Sequence, residues 1–193
     1  MVTLVGLNAL VGLPSGLEQL TQIAGDLGSD VPVGLAGSPI ALGWERGRRL
    51  IPLRAPSARP VAIAVPPFGV SSGDAYRWLT ADREAAGPDS GSIPETGGGL
   101  VLPPPHELVE WDILESLVCN DLERPVFWRH PELRIIRDTL LESGARRAIL
   151  CGSGSCVAGI FDASEVRDRA ATELEERAGV RAIRTVTKEL EAG

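Results

Sequence analysis

The chain has 193 residues, of which 44% are hydrophobic and 23% charged, and its formal net charge is −7. This is enough sequence for one globular domain or two small ones. The acidic balance argues against a surface that binds nucleic acid or anionic membranes, although backbone amides can still bind a local anion. The odd number of cysteines, three, and their lack of metal-ligand spacing favour a reducing cytoplasm over a disulfide framework.

The first part of the chain is predicted to be helical. Residues 1–12 carry no charged side chain and predict a fully buried helix. A signal peptide would need a basic segment first, and Pro14 interrupts the apolar run too early for a membrane span. Apolar residues then recur at helical spacing over 17–27, which predicts an amphipathic helix that ends at Gly28.

Short strands are predicted next. Glycine and proline separate three runs, VPVGLA, SPIALGW and RRLIPL, each of which predicts a strand. VAIAV, at 61–65, is a continuous apolar run typical of a strand that is covered on both faces. Ser71 or Ser72 is then the predicted N-cap of a helix over residues 71–79.

The second half of the chain alternates helices and strands. An irregular loop rich in Gly, Pro and Ser is predicted over residues 83–106. Helices are predicted near 107–118, 120–128 and 131–143. Two strands, RRAIL and CVAGIF, then flank the tight loop CGSGS, and an amphipathic helix in ASEVRDRAATELEERAG precedes a closing strand, VRAIRTV. This order predicts an α+β sandwich with helices on one face of a sheet.

The loop in CGSGSCVAG is the first of three segments that could carry chemistry. Gly152 and Gly154 permit a turn whose amides face an anion, and Ser153 and Ser155 add hydroxyl donors. The pattern matches neither the dinucleotide fingerprint nor the hydrolase nucleophile elbow. The structural alternative is a tight turn built from small residues.

Two further segments carry candidate residues. Ser72 and Tyr76 are four residues apart and share a helix face, which suits a ligand that needs one hydrogen bond and one stacking surface. Their structural alternative is a helix cap beside a half-buried tyrosine. Asp30 follows a helix and precedes an apolar run, where a general base could be held beside a cleft, or where it could simply cap a turn.

Four segments, taken in order, carry a family resemblance: LGSDVPVGLAGSPIALGWERGRRL, PPFGVSSGDAYRWL, CNDLE and CGSGSCVAGIF. They resemble the 4-diphosphocytidyl-2-C-methyl-D-erythritol kinase family, a branch of the GHMP kinases. The resemblance implies an α+β, GHMP-kinase-like fold. Residues 1–55 would be the remainder of the N-terminal domain. Residues 56–193 would be the C-terminal domain, an antiparallel sheet with helices on one face.

The resemblance also implies an activity. It is that of a small-molecule kinase that uses ATP and Mg²⁺ to phosphorylate a hydroxyl of 4-(cytidine-5'-diphospho)-2-C-methyl-D-erythritol in non-mevalonate isoprenoid biosynthesis. Asp30 would accept the proton of that hydroxyl or orient it for attack. Ser72, where the family has threonine, and Tyr76 would contact the cytidine diphosphate side. The loop from Gly152 to Ser155 would shape the phosphate site, and no residue is assigned as a metal ligand.

The family's glycine- and serine-rich phosphate loop does not occur in these 193 residues, nor do its N-terminal lysine and aromatic cytosine-binding residues. A non-catalytic fragment of the kinase is therefore one alternative. Another GHMP kinase acting on a different small alcohol is a second. The expected partner is the small-molecule substrate, without nucleic acid or membrane, and the expected state is a cytoplasmic monomer or homodimer.

Overall fold

The chain divides into two compact units. The structure is a computed structural model, and it describes residues 2–12, 15–28, 30–44, 49–86, 104 and 106–187. Unit 1 comprises Met1–Ser57, Pro103–Ile113 and Lys188–Gly193, and unit 2 comprises Ala58–Leu102 and Leu114–Thr187. The domain division predicted between residues 55 and 56 stays a prediction.

Unit 1 starts with two helices, α1 (Val2–Leu10) and α2 (Leu17–Leu27). The second matches its predicted range and buries Leu20 and Ala24. The prediction that the first helix is fully buried is wrong, because Leu7 is 53% and Leu10 84% exposed. Helix α1 is strongly apolar, but α2 makes only sparse contact with it.

The remainder of unit 1 contains a short 3₁₀ helix and a β-hairpin. VPVGLA was predicted as a strand, but it forms a short 3₁₀ helix, Pro32–Leu35. Pro32 fixes a helical φ at the start of this turn, and the residues on either side, Val31 and Ala36, are also helical. The other two predicted strands pair antiparallel as β1 (Ala41–Trp44) and β2 (Arg49–Pro52).

Unit 2 contains an antiparallel sheet, as predicted. Its strands are β3 (Pro60–Val65), β4 (Arg147–Leu150), β5 (Val157–Ile160) and β6 (Arg181–Val186). They lie in the order β4-β5-β3-β6, and every neighbouring pair is antiparallel. The central strand β3 buries Val61, Ala62 and Ala64, as expected of a continuous apolar run.

Two of the helices cover this sheet. The helices of unit 2 are α3 (Ser72–Ala86), α5 (Glu123–Arg129), α6 (Pro131–Glu142) and α7 (Ser164–Ala178), and α4 (Trp111–Leu117) begins in unit 1 and ends in unit 2. The sixth helix packs on β4 and β5, and the seventh packs on β3 and β6. Leu133, Leu140, Phe161 and Leu174 are fully buried in the core between them. Gly144, at φ +97°, follows the end of α6, where the sequence predicted a stop.

The loop predicted over 83–106 begins later than expected. Helix α3 continues to Ala86, because residues 83–86 are Arg, Glu and two Ala, all good helix formers. Most of the remaining predicted loop lies outside the described residues. Within the described residues, no helix combines the length and the apolar character needed to cross a membrane.

Candidate functional site

The loop between β4 and β5 is a tight hairpin turn. The Cys151 N–H donates to the Cys156 carbonyl at 2.9 Å, and the Gly154 N–H donates to the Cys151 carbonyl at 3.0 Å. Gly152 and Gly154 have φ of +57° and +97°, a region that strains residues with a Cβ. A Cβ at Gly154 would also lie 3.3 Å from Leu150 Cδ1. The two glycines therefore allow the turn that the sequence predicted.

Asn120 fastens this loop from outside. Its amide nitrogen donates to the Leu150 carbonyl at 2.9 Å and to the Gly152 carbonyl at 2.7 Å. Its Oδ1 accepts the Leu122 N–H at 3.0 Å. Glu123 adds a bond, since its Oε1 accepts the Leu150 N–H at 2.8 Å. Each polar atom of the Asn120 side chain thus has a backbone partner, and the base of the loop is held in place.

Ser155 is a second anchor. Its side chain is buried, with 7% exposed, and its hydroxyl donates to the Phe68 carbonyl. The hydroxyl proton is thus already used within the protein. A contact of Ser155 with a ligand, which stays a prediction, would have to come from its backbone N–H.

Ser72 and the loop meet through their hydroxyls. Ser72 Oγ and Ser153 Oγ share a hydrogen bond of 2.8 Å. The capping of α3 belongs to Ser71, whose Oγ accepts the Asp74 N–H at 3.4 Å. The Ser72 hydroxyl is therefore free of the capping role and stands beside the glycine-rich turn. The structure brings together two of the three candidate segments.

Tyr76 lies one helical turn after Ser72. It is 61% exposed, whereas the preceding residue, Ala75, is fully buried. The half-buried tyrosine of the structural alternative is therefore not observed. An exposed ring that follows a hydroxyl on the same helix face is available to stack on a planar group.

Asp30 belongs to unit 1, and the other candidate residues belong to unit 2. It is exposed and lies in the turn that joins α2 to the 3₁₀ helix. In that turn the Val31 N–H donates to the Gly28 carbonyl at 3.2 Å. This bond places Asp30 directly before the 3₁₀ helix, between two helical segments.

The thiol of Cys151, beside the loop, is not an activated nucleophile. Partial burial and then the neighbouring Cys156 raise the pKa of Cys151, although part of its surface is exposed. A raised thiol pKa lowers the fraction of the reactive thiolate at neutral pH. Across the described ranges of the chain, no group of three or more His, Cys, Asp and Glu side chains is placed to hold a metal ion.

Sequence reasoning assigned no role to Asn120, Glu123 or Phe68, which position the loop. The first two belong to CNDLE, one of the segments that carried the family resemblance, so the resemblance could have indicated that they have a role. Their partners are far away in sequence: Asn120 bonds to carbonyls 30 and 32 residues later. No local pattern indicates such a pairing.

The chain is similar in sequence to a known protein family. Residues 108–179 match the family described as GHMP kinases C terminal. The chain is 37% identical over 164 residues to a 4-diphosphocytidyl-2-C-methyl-D-erythritol kinase of Synechococcus sp. (strain JA-3-3Ab), covering 84% of this chain and 52% of that protein.

Two crystal structures are similar as well. A 4-(cytidine 5'-diphospho)-2C-methyl-D-erythritol kinase gives a TM-score of 0.64 at 28% identity, covering 94% of this chain and 60% of that one. A homoserine kinase from Cytophaga hutchinsonii gives a TM-score of 0.65, over 95% of this chain and 61% of that one, but at 16% identity this likeness concerns the fold alone.

The chain spans about half to three fifths of the length of the relatives it matches. Within that span the matches extend over both units, since the similarity to the crystallised kinase covers 94% of the chain. The α+β fold with its antiparallel sheet agrees with this relationship. The chain therefore belongs to the GHMP kinases, as a relative of the 4-diphosphocytidyl-2-C-methyl-D-erythritol kinases.

Proposed function

We propose that the chain takes part in the ATP-dependent phosphorylation of a hydroxyl of 4-(cytidine-5'-diphospho)-2-C-methyl-D-erythritol, within non-mevalonate isoprenoid biosynthesis. The names of the relatives supply the substrate, and their 30–37% identity supports its transfer to this chain. Because the chain spans only part of those relatives, the activity of the whole kinase is part of the proposal.

The hydrogen bond between Ser72 and Ser153 is the observation that carries the proposal. It joins the segment that resembles the substrate motif to the glycine-rich turn, within one compact unit. We assign the exposed ring of Tyr76 to stacking on the cytosine. Either serine hydroxyl can rotate to donate to the diphosphate. The Gly154 N–H is used within the turn, and the other N–H groups of the Gly152–Ser155 turn can face phosphate oxygens.

Asp30 is the proposed catalytic group. Its carboxylate would accept the proton of the attacking hydroxyl or hold that hydroxyl in line with the γ-phosphorus of ATP. Phosphoryl transfer depends mainly on positioning and on stabilisation of charge, so one placed carboxylate is a sufficient contribution from this segment. Mg²⁺ usually binds through one or two carboxylates and the phosphates themselves. Among the described residues no three His, Cys, Asp or Glu side chains are grouped to hold a metal ion, and we assign no magnesium ligand.

We further propose a cytoplasmic location, with the small-molecule substrate as partner and without nucleic acid or membrane. The free cysteines suit a reducing compartment. The acidic net charge of −7 makes a polyanionic partner unfavourable.

A coupled ADP-release assay tests the proposal. The 193-residue chain is incubated with ATP, Mg²⁺ and either the cytidylyl substrate, mevalonate or homoserine. ADP should appear with the cytidylyl substrate and fall by about 10²-fold in Asp30→Asn, as expected for loss of a general base. The matched variant Glu18→Gln, an exposed carboxylate of the same unit, should leave the rate unchanged.

Two results would contradict this assignment. Faster turnover of mevalonate or homoserine would identify another GHMP kinase. Binding of the cytidylyl substrate without ADP release would identify a non-catalytic chain that keeps only the substrate side.

A further inference from the structure

We propose that Cys151 and Cys156 form a reversible disulfide when a hydroperoxide oxidises them, and that this bond closes the base of the Gly152–Ser155 loop. The proposed function gives these thiols no role. The proposal concerns the two thiols alone, and it holds or fails independently of the phosphoryl-transfer activity.

The strand register places the two cysteines opposite each other. Leu150 pairs with Val157 in the β4–β5 ladder, so Cys151 and Cys156 form the next opposed pair. The Cys151 N–H donates to the Cys156 carbonyl at 2.9 Å, which continues the ladder to this position. Opposed residues of an antiparallel pair project to the same face, with Cα atoms about 5.5 Å apart where they are hydrogen-bonded. Disulfides span Cα separations of about 4.4–6.8 Å.

Electrostatics and exposure agree with this geometry. The Cys156 thiol contributes to the raised pKa of Cys151, as expected of two thiols close together. Cys151 is exposed and Cys156 is partly exposed, so a small oxidant can reach the pair. Cys119, the third cysteine, is also exposed and provides an internal reference for an unpaired thiol.

The chemistry balances with hydrogen peroxide as the oxidant. The Cys156 thiolate attacks a peroxide oxygen, the O–O bond breaks, and Cys156 sulfenic acid and one water form. The Cys151 sulfur then attacks the Cys156 sulfur, the S–S bond forms, the S–O bond breaks, and a second water leaves. The two thiols together lose two electrons and two protons. A small thiol restores both cysteines by exchange through a mixed disulfide.

The raised pKa of Cys151 lowers the fraction of that residue present as thiolate, so we assign Cys151 to the second step. In a reducing compartment the pair stays reduced until a hydroperoxide appears. Disulfides of that transient kind are the ones found in redox-sensing cytosolic proteins.

Peptide mapping tests the proposal directly. Trypsin cleaves after Arg147 and Arg167, which releases both cysteines in the single peptide Ala148–Arg167, while Cys119 lies in another peptide. The folded chain is treated with a small excess of hydrogen peroxide, alkylated with iodoacetamide and digested with trypsin. The peptide masses are then measured by mass spectrometry. We expect the peptide Ala148–Arg167 to carry no alkyl group and to be lighter by two hydrogen atoms than the same peptide with both thiols reduced. When the oxidised chain is reduced before alkylation, we expect both cysteines to be alkylated.

Variants separate the pair from other oxidation. Cys119→Ser should give the same light peptide, whereas Cys156→Ser should leave Cys151 open to alkylation. Complete alkylation of both cysteines in the oxidised wild-type peptide would overturn the proposal. Sulfinic acid in that peptide, or a disulfide from either cysteine to Cys119 or to a second chain, would overturn it equally.

Discussion

The two units of this chain differ in how completely each builds a core. In unit 2, helices α6 and α7 pack on an antiparallel sheet and bury a continuous set of side chains. In unit 1, two short helices, a 3₁₀ turn and a hairpin leave large apolar residues such as Leu10, Leu17 and Leu27 more than 60% exposed. Apolar side chains are therefore buried most completely where helices pack on a sheet.

This difference bears on the candidate site. Ser72, Tyr76 and the glycine-rich turn belong to the well-packed unit, and partly buried hydrogen bonds from Asn120 to the Leu150 carbonyl and from Ser155 to the Phe68 carbonyl fix the turn. Asp30 is supported by a short turn between helical segments of the other unit. The proposed substrate-binding groups thus belong to the unit with the larger core, whereas the proposed base belongs to a unit with few buried side chains.

The largest expected effect compares two leucines, one in each unit. Leu140 in α6 is fully buried, so Leu140→Ala should lower the free energy of unfolding by about 2–5 kcal/mol. Leu27 in α2 is 68% exposed, so Leu27→Ala should change it by no more than about 0.5 kcal/mol. Urea denaturation followed by circular dichroism measures both. Equal losses would mean that the two units do not differ in packing.

A smaller effect is expected at the loop anchor. Asn120→Ala removes three backbone contacts and should cost about 1–3 kcal/mol, with faster amide hydrogen exchange across residues 151–156. Asp121→Ala is the matched control, because its exposed ion pair with Arg83 contributes little. Asn120→Asp keeps the acceptor for the Leu122 N–H, so exchange there should stay slow while the loop loosens. Identical behaviour of Asn120→Ala and Asp121→Ala would refute the anchoring role.

The smallest effect is a pH dependence within unit 2. The hydrogen bond from Arg184 lowers the pKa of Glu175 below its ordinary value of 4.5, so ionised Glu175 stabilises the folded state. That stabilisation is present above the ordinary pKa and is lost as the pH falls through the lowered one. Glu175→Gln should therefore flatten the acid limb of a plot of melting temperature against pH. Glu176→Gln, on the same helix, should leave the acid limb of that plot unchanged. A similar flattening in Glu176→Gln would show that the hydrogen bond from Arg184 to Glu175 is not its cause.

Local patterns predicted most of the fold. Helix α2 was predicted to the residue by the spacing of its apolar positions, and α6 between Pro131 and Gly144 by its start and stop residues. The burial of α1 was mispredicted because burial depends on neighbours that the segment itself does not specify. VPVGLA was mispredicted because a short apolar run with proline fits a strand or a tight helical turn equally well.

The candidate site was predictable only in part. The glycines of the turn were recognised because positive φ restricts the residue type, and the structure confirms positive φ at Gly152 and Gly154. The bond between Ser72 and Ser153 spans 81 residues, and the bonds of Asn120 span about 30. Such contacts depend on the order of strands in the sheet, which no local pattern contains.

One measurement tests the central claim most directly. Tyr76 is the single tyrosine of the chain, so labelling with ring-¹³C tyrosine gives an NMR signal from this residue alone. Titration with the cytidylyl substrate should shift the ring signal in a saturable way, because the cytosine stacks on the ring, and ATP alone should leave it in place. An unchanged signal at saturating substrate, or an equal shift with ATP, would contradict the assignment of Tyr76 and its neighbours to the substrate side.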